Sequence, residues 1–306
     1  MGRSQRGRPI DGILLLDKPA GITSNRALQT ARRHLDARKA GHTGSLDPAA
    51  TGLLPLCFGH ATRLTPYLLD ADKTYAVTAE LGVRTDSGDL DGQEIERRLP
   101  PDWQAERWMS LLKTFIGPQQ QVPPMHSALK HEGQRLYKLA RQGLAVERPP
   151  RSIVIHDITF KRLAGSSLDF EVRCSKGTYI RSLVEDIAGQ AGTIATTAAL
   201  RRLAAGPFGG DGMRSLAAVQ AASQETVESW LLPLDAALPS WPAVRLDETA
   251  ASLFHQGRAV RPMTLEVAGG QVRVHGADGK LVGLGEMAPD GLVSPKKVFG
   301  ATPNPS

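Results

Sequence analysis

The sequence predicts an α+β fold, with one large body in which strands and helices interleave and a small, mostly β appendage at the C-terminus. Three observations lead there. Several segments alternate apolar and polar residues with period two, others repeat apolar residues with the helical period, and near Leu232 the texture turns proline-rich and then Val- and Gly-rich. At 306 residues the chain has room for a full hydrophobic core and a second, smaller unit.

Taken in order, "GILLLDKP" reads as a short buried strand stopped by Pro19, and Ser24 as the N-cap of an amphipathic helix carrying Leu28, Ala31 and Leu35. A Gly-rich loop follows, holding "GHTGSLDPAATGLLPL" from Gly41 to Leu56. In "KTYAVTAELGV", Tyr75, Val77, Ala79 and Leu81 alternate with smaller or polar residues, the signature of a strand. "RTDSGDLDGQ" is turn chemistry. Asp102 is placed to cap a helix whose Trp108, Leu111, Leu112 and Phe115 form one buried stripe. A further helix is expected from Gln134 to Arg141, ended by Gly143. "SIVIHDITF" and "LDFEVRCS" read as strands, and the spacing of Ile180, Leu183, Val184 and Ile187 returns to the helical period. "LLPLDAALPSWPAV" reads as a linker, and beyond it a short helix over Glu248 to His255 precedes strand-like pieces such as "QVRVHG" and "KLVGLGEM".

Composition narrows the function. Cys57 and Cys174 are far apart and form no CxxC or Cys/His cluster, which argues against a disulfide framework or a zinc site and for two small buried residues. No run approaches a membrane span and "MGRSQRGRPIDG" has no apolar signal region, so a soluble, cytoplasmic protein is expected. The 37 Lys and Arg exceed the 31 Asp and Glu, which favours a polyanionic partner. Arg3, Arg6 and Arg8, then Arg32, Arg33 and "HLDARKAGH", then Arg148 and Arg151 lie to either side of the Gly-rich segment, a pattern that suits phosphate contact.

Asp47 is the residue that segment singles out. An Asp-Pro pair commonly starts a helix, with Asp at the N-cap and Pro at N1. A carboxylate among small residues also has room for another molecule, and being ionised at neutral pH it attacks carbon without an activating base. His42, with no second ligand at metal spacing, is either a surface histidine or a stacking and hydrogen-bonding group. "SKGTYIRSLVEDIA" sets Tyr179 and Arg181 at a strand-to-helix junction, where Arg181 either lies on the helix surface or pairs with a distant carboxylate. Tyr75 is either core or a ring for a base to stack on.

Together "GHTGSLDPAATGLLPL", "DADKTYAVTAELGVRTDSGDLDG", "PPMHSALKHEGQRLYKLARQG", "SKGTYIRSLVEDIA" and "LRRLAAGPF" resemble the bacterial tRNA pseudouridine-55 synthase (TruB) family, in consistent order from Ile10 to about Phe208. The C-terminal part, with "VSPKKVF", is more loosely similar to the PUA-type RNA-binding module of bacterial members. The resemblance implies a mixed, largely antiparallel sheet with flanking helices. It also implies a basic arm over 1–9, a catalytic domain over 10–231, a linker over 232–243 and a PUA-like domain over 244–306. The implied reaction converts a T-loop uridine of tRNA to pseudouridine without metal or redox cofactor, with no membrane and no obligate protein partner, by a monomer. Carried over, Asp47 is the essential aspartate and Arg181 its basic partner, and Tyr75 is the ring beside the target uracil. Tyr179 and Leu200 line the pocket, His42 helps keep the base out of the loop, and Asp89 lies in a loop near the RNA. The chain departs at His126, where members often carry Tyr. Two other classes stand against this. One is a catalytically silent RNA-binding or tRNA-folding protein using the same basic surface. The other is an Asp-nucleophile glycoside hydrolase, which would want a second, proton-donating carboxylate.

Overall fold

Continuous apolar runs and alternating ones both become strands here, because the sheet is covered on two faces over one half and on one face over the other. The computed structural model describes residues 7–300 apart from 128, 132, 137, 138, 140, 141, 143, 145 and 264–268. The strands of the body are β1 (Gly12–Lys18), β2 (Ala40–His42), β3 (Thr51–Phe58), β4 (Lys73–Leu81), β5 (Val83–Thr85), β6 (Glu94–Arg97), β7 (Gly117–Gln121), β8 (Lys130–His131), β9 (Gln134–Arg135), β10 (Arg151–Ala164), β11 (Ser167–Cys174), β12 (Ala195–Ala205) and β13 (Arg214–Ser215). Nine of them form one sheet in the order β13-β1-β3-β12-β4-β11-β10-β7, with β2 paired to β3. All its pairings are antiparallel except β1 with β13 and β3 with β12, so the sheet is mixed and largely antiparallel as expected.

Helices α1 (Ser24–His34), α2 (Thr65–Asp70), α3 (Ala105–Lys113), α4 (Ile180–Gln190), α5 (Leu216–Ala221) and α6 (Gln224–Ser229) cover it. Trp108 and Leu112 of α3, Phe115 just past its end, and the stripe of Leu183, Val184 and Ile187 on α4 pack against Val77, Phe170 and Val172 of the sheet. Ala27, Leu28 and Ala31 of α1 cover Leu14 and Leu16 of β1 with Leu54 and Leu56 of β3. In β4 the four alternating residues Tyr75, Val77, Ala79 and Leu81 are all buried. Both cysteines are buried, and burial pushes their thiols up to about 12 for Cys57 and about 11 for Cys174.

Several local expectations change. The N-cap of α1 is Thr23, whose hydroxyl accepts from the Arg26 N–H at 3.1 Å, and this leaves Ser24 free for a tertiary contact. Helix α3 starts after Gln104 with no side-chain cap, and Asp102 lies ahead of it. The Gly-rich loop is shorter than its composition suggests, because "TGLLPLCF" is the central strand β3 and is buried almost throughout. Gln134 and Arg135 are strand rather than the start of a helix, and residues 137, 138, 140, 141 and 143 of that expected helix lie outside the described residues. Strand β12, whose "ATTAALRRLAA" shows no clean alternation, bulges at two places.

Beyond the body, β14 (Ala243–Arg245), β15 (Gly270–His275), β16 (Leu281–Met287) and β17 (Val293–Val298) form a four-stranded sheet packed on α7 (Glu248–His255). Residues 232–238 run along the body, where Leu232 exchanges backbone hydrogen bonds with Ile13 and Ala237 and Leu238 are buried, whereas the carbonyls of Trp241 and Pro242 accept from Arg273 of the C-terminal sheet. Of the N-terminal arm, residues 7–9 are described, and Arg8 pairs with Glu228 at 2.6 Å. Among the described residues no helix is long and apolar enough to cross a membrane.

Phe170 sits between Phe160 of β10 and Val77 of β4 and is 1% exposed. Phe170→Ala is expected to lower the unfolding free energy by about 3–5 kcal/mol. A fall in the urea midpoint at unchanged slope checks this.

Candidate active site

Asp47 lies on the turn between β2 and β3, and no helix starts there: Asp-Pro closes a tight turn in which the Ala50 N–H donates to the Asp47 carbonyl at 3.1 Å. The turn is tied down on both sides. The Ser24 hydroxyl accepts from the Leu46 N–H at 2.8 Å and donates to the Leu46 carbonyl at 3.1 Å. The Lys18 ammonium donates to the carbonyls of Pro19, Ile22 and Pro48 at 2.8, 2.8 and 3.1 Å. Arg202, 1% exposed, donates to the carbonyls of Leu53 at 2.7 Å and Gly44 at 3.0 Å. Gly52, at φ +97°, lets β12 approach, since a Cβ there would collide with the Arg202 carbonyl oxygen. The small size of that glycine therefore serves the chain's own packing.

Arg181 enters from the first turn of α4 and is 5% exposed. The start of that helix is gripped by Gln121, which accepts from the Tyr179 N–H at 2.8 Å and donates to the Tyr179 carbonyl at 3.0 Å. The guanidinium then meets three groups. Its Nε lies 3.0 Å from Asp47 Oδ2, its Nη1 donates to the Ser87 carbonyl at 2.7 Å, and its Nη2 donates to the His126 carbonyl at 2.7 Å. Asp89 Oδ2 stands 3.9 Å from the same Nε. A buried charge is tolerated when it is paired and hydrogen-bonded, and here each of the three guanidinium nitrogens has a partner. Because His126 contributes its carbonyl, the bond to Arg181 is indifferent to which side chain stands there.

Two hollows meet at Asp47, Ser127 and Arg181. The smaller, about 360 Å³, is walled by Tyr75, Tyr179 and Leu200, with Lys73 and Arg202 also in its lining. The larger, about 760 Å³, is lined by Asp86, Asp89, Asp91 and Gln93 among others. Asp47 is 41% accessible, yet the concave protein around it replaces much of its water. Burial therefore raises its pKa above the ordinary carboxylate value; Arg181 pulls it back down, Asp89 adds to the rise, and Lys18 opposes it. Burial also raises the phenols of Tyr75 and Tyr179. His42 on β2 lines neither hollow; burial first and Arg202 second lower its pKa, and its Nδ1 is buried without a partner.

The structure thus brings Asp47, Arg181, Tyr75, Tyr179, Leu200 and Asp89 together and leaves His42 to one side. Lys18, Lys73, Arg202, Gln121 and Ser127 are additions. Lys73, like Lys18, has its pKa lowered to about 8, mainly by burial, and its ammonium bonds the carbonyls of Leu69 and Ala71 at the end of α2, each at 2.6 Å. A signal for Lys18 was present, since a lysine inside an apolar strand must find oxygen partners. Nothing local marks Arg202 as different from Arg201 beside it.

Comparison with known proteins follows this geometry. Consecutive stretches of the chain match models of the TruB family pseudouridylate synthase N-terminal domain (residues 32–180), the tRNA pseudouridylate synthase B C-terminal domain (181–239) and the pseudouridine synthase II TruB C-terminal region (242–299). A crystal structure of a Cbf5-Nop10-Gar1 complex contains a similar fold, with TM-score 0.71 and 26% identity over 94% of this chain and 85% of that one. These define the class, a pseudouridine synthase. The tRNA pseudouridine synthase B of Nitrosococcus oceani is 47% identical over 300 residues, 97% of each chain, and that of Shigella boydii is 44% identical over 305 residues, 96% of each. The chain belongs to the TruB family.

The electrostatics carry a test. The Asp47 carboxyl is expected to titrate above 3.8, and Asp89→Asn, by removing a like charge, to lower its midpoint. Carboxyl-carbon NMR titration of both proteins reads the sign directly.

Proposed function

We propose that this tRNA pseudouridine synthase acts on uridine 55 of the T loop, with Asp47 as its nucleophile on a flipped-out nucleotide. The observation that carries the proposal is the Asp47–Arg181 pair at 3.0 Å, set at the edge of a hollow of about 360 Å³ walled by two tyrosines and a leucine. The reaction breaks the N1–C1′ bond, retains the free uracil, turns it and joins C5 to C1′. A walled pocket suits that requirement, since a base released into water would be lost. Flipping the uridine out costs a few kcal/mol of stacking. His42, kept neutral by burial and by Arg202, is suited to fill the vacated space as an uncharged ring.

Attack at the ribose C1′, proton removal at C2′ and attack at C6 of the base all start from an ionised Asp47. Arg181 keeps the carboxylate charged and aimed while burial works against ionisation, which leaves a less hydrated and more reactive anion. Tyr75 limits motion of the detached base, and Tyr179 and Leu200 shape its walls. Asp89 is assigned to orienting Arg181, whose Nε it approaches. The catalytic reading is preferred to that of a silent RNA-binding protein because a surface for binding alone has no use for a buried arginine aimed at a half-accessible carboxylate.

Asp47→Asn and Asp47→Ala are expected to abolish pseudouridine in a T-arm transcript while RNA binding persists. Pseudouridine appearing at near wild-type rate in either variant would sink the assignment. Arg181→Lys loses the planar fork, and about 3 kcal/mol of charge-assisted bonding is roughly 100-fold in rate. Because protonation disables the nucleophile and its pKa is raised, kcat/KM is expected to fall on the acid side at a pH above the ordinary carboxylate value. A pH–rate profile checks this.

A further inference from the structure

The smaller hollow holds more positive charge than its described lining neutralises. The charged side chains that line it are Asp47, Arg181, Lys73 and Arg202. Asp47 is taken up by Arg181 at 3.0 Å, which leaves two cations over. Arg202 is the deeper of them, 1% exposed against 7% for Lys73. Its Nε donates to the Leu53 carbonyl and its Nη2 to the Gly44 carbonyl, and among the described residues no carboxylate pairs with it. Neighbouring Arg201 differs, making a bidentate pair with Asp17 at 3.0 and 2.9 Å.

The charge is felt around the hollow. Strand register sets Arg202 across from Tyr75, whose phenol burial raises and Arg202 is the first group to hold down. After burial, Arg202 is also the next cause that lowers the pKa of Lys73 and of His42. Fixing the turn does not account for such a charge. A buried guanidinium without a counter-ion is costly, and two carbonyls are met equally well by a neutral donor.

The reaction supplies the missing anion. When the N1–C1′ bond breaks, its electron pair stays on the base, so the detached uracil is negative until C5 bonds C1′; the C5 proton is afterwards exchanged for one on N1. Attack at C6 instead pushes a pair toward O4, which again makes the base negative. We propose that Arg202, with Lys73 adding to the field, stabilises this negative charge on the uracil, a task separate from that of Arg181, which serves Asp47. The proposal rests on the smaller hollow being the place of the flipped nucleotide. Because the charge exists only part-way through the reaction, Arg202 acts on the rate and leaves binding alone.

Single-turnover isomerisation of tRNA by the full-length protein separates this from a scaffold role. Arg202→Gln is expected to slow conversion of the uridine about 100-fold with the tRNA Kd unchanged. With 5-fluorouridine at the same position, a more acidic base that needs less help to leave, the loss is expected to be no more than about 10-fold, read as disappearance of the N-glycosidic nucleoside. Arg202→Lys keeps the charge and is expected to stay within about 10-fold of wild type on both substrates. Equal slowing of the two substrates by Arg202→Gln overturns the proposal, as does a weakened Kd at an unchanged rate or an Arg202→Lys variant as slow as Arg202→Gln; Arg202 is then only a clamp on the β2–β3 turn. If Arg202→Gln does not melt cooperatively, Arg202→Lys decides alone at the same limit. Rates are read at whichever uridine the wild-type protein converts, so a wild-type protein inactive at uridine 55 removes the assigned substrate position and leaves this comparison standing.

Discussion

Arg181 carries its charge into the protein interior, and the chain around the site is arranged so that this charge is met. An unpaired guanidinium there would cost several kcal/mol, so Asp47 and the carbonyls of Ser87 and His126 have to be where they are. Those three groups belong to three separate loops. A single buried cation thus draws the β2–β3 turn, the turn after β5 and the segment after β7 into one cluster, and Gln121 secures the end of the helix that carries it.

The other buried cations extend the same device. Lys18, Lys73 and Arg202 are anchored chiefly by main-chain carbonyls, which fixes loops without neutralising charge. Asp47 therefore sits among positive groups, and still burial prevails and raises its pKa. Such a carboxylate is oriented by cations yet poorly hydrated, which suits attack on carbon better than a fully solvated anion would.

Much of the fold was legible because it rests on periodicity. The alternation of β4 and β11 and the stripes on α3 and α4 are local patterns that burial enforces wherever they occur. Strand β3 was hidden because Gly and Pro mark loops by composition, whereas here both sit in a strand buried between β1 and β12. Strand β12 was hidden because its bulges break the period. Ser24 and Asp102 are plausible caps by type, and the caps fell elsewhere because capping depends on backbone geometry one residue at a time.

At the site, the sequence by itself determined the cast: a carboxylate among small residues, a Tyr and an Arg at a helix start, a Tyr on an alternating strand, and a resemblance that ties them together. It left open whether Asp47 starts a helix and whether Arg181 faces water, since both alternatives satisfy the same local rules. Only the tertiary structure decided these points. Pairing of distant strands sets Asp47 against Arg181, adds Asp89 and the carbonyls of Ser87 and His126, and turns the otherwise ordinary Lys18 and Arg202 into supports. The physical reason is that the cost of burying a charge depends on every group around it, and those groups come from segments far apart in the chain.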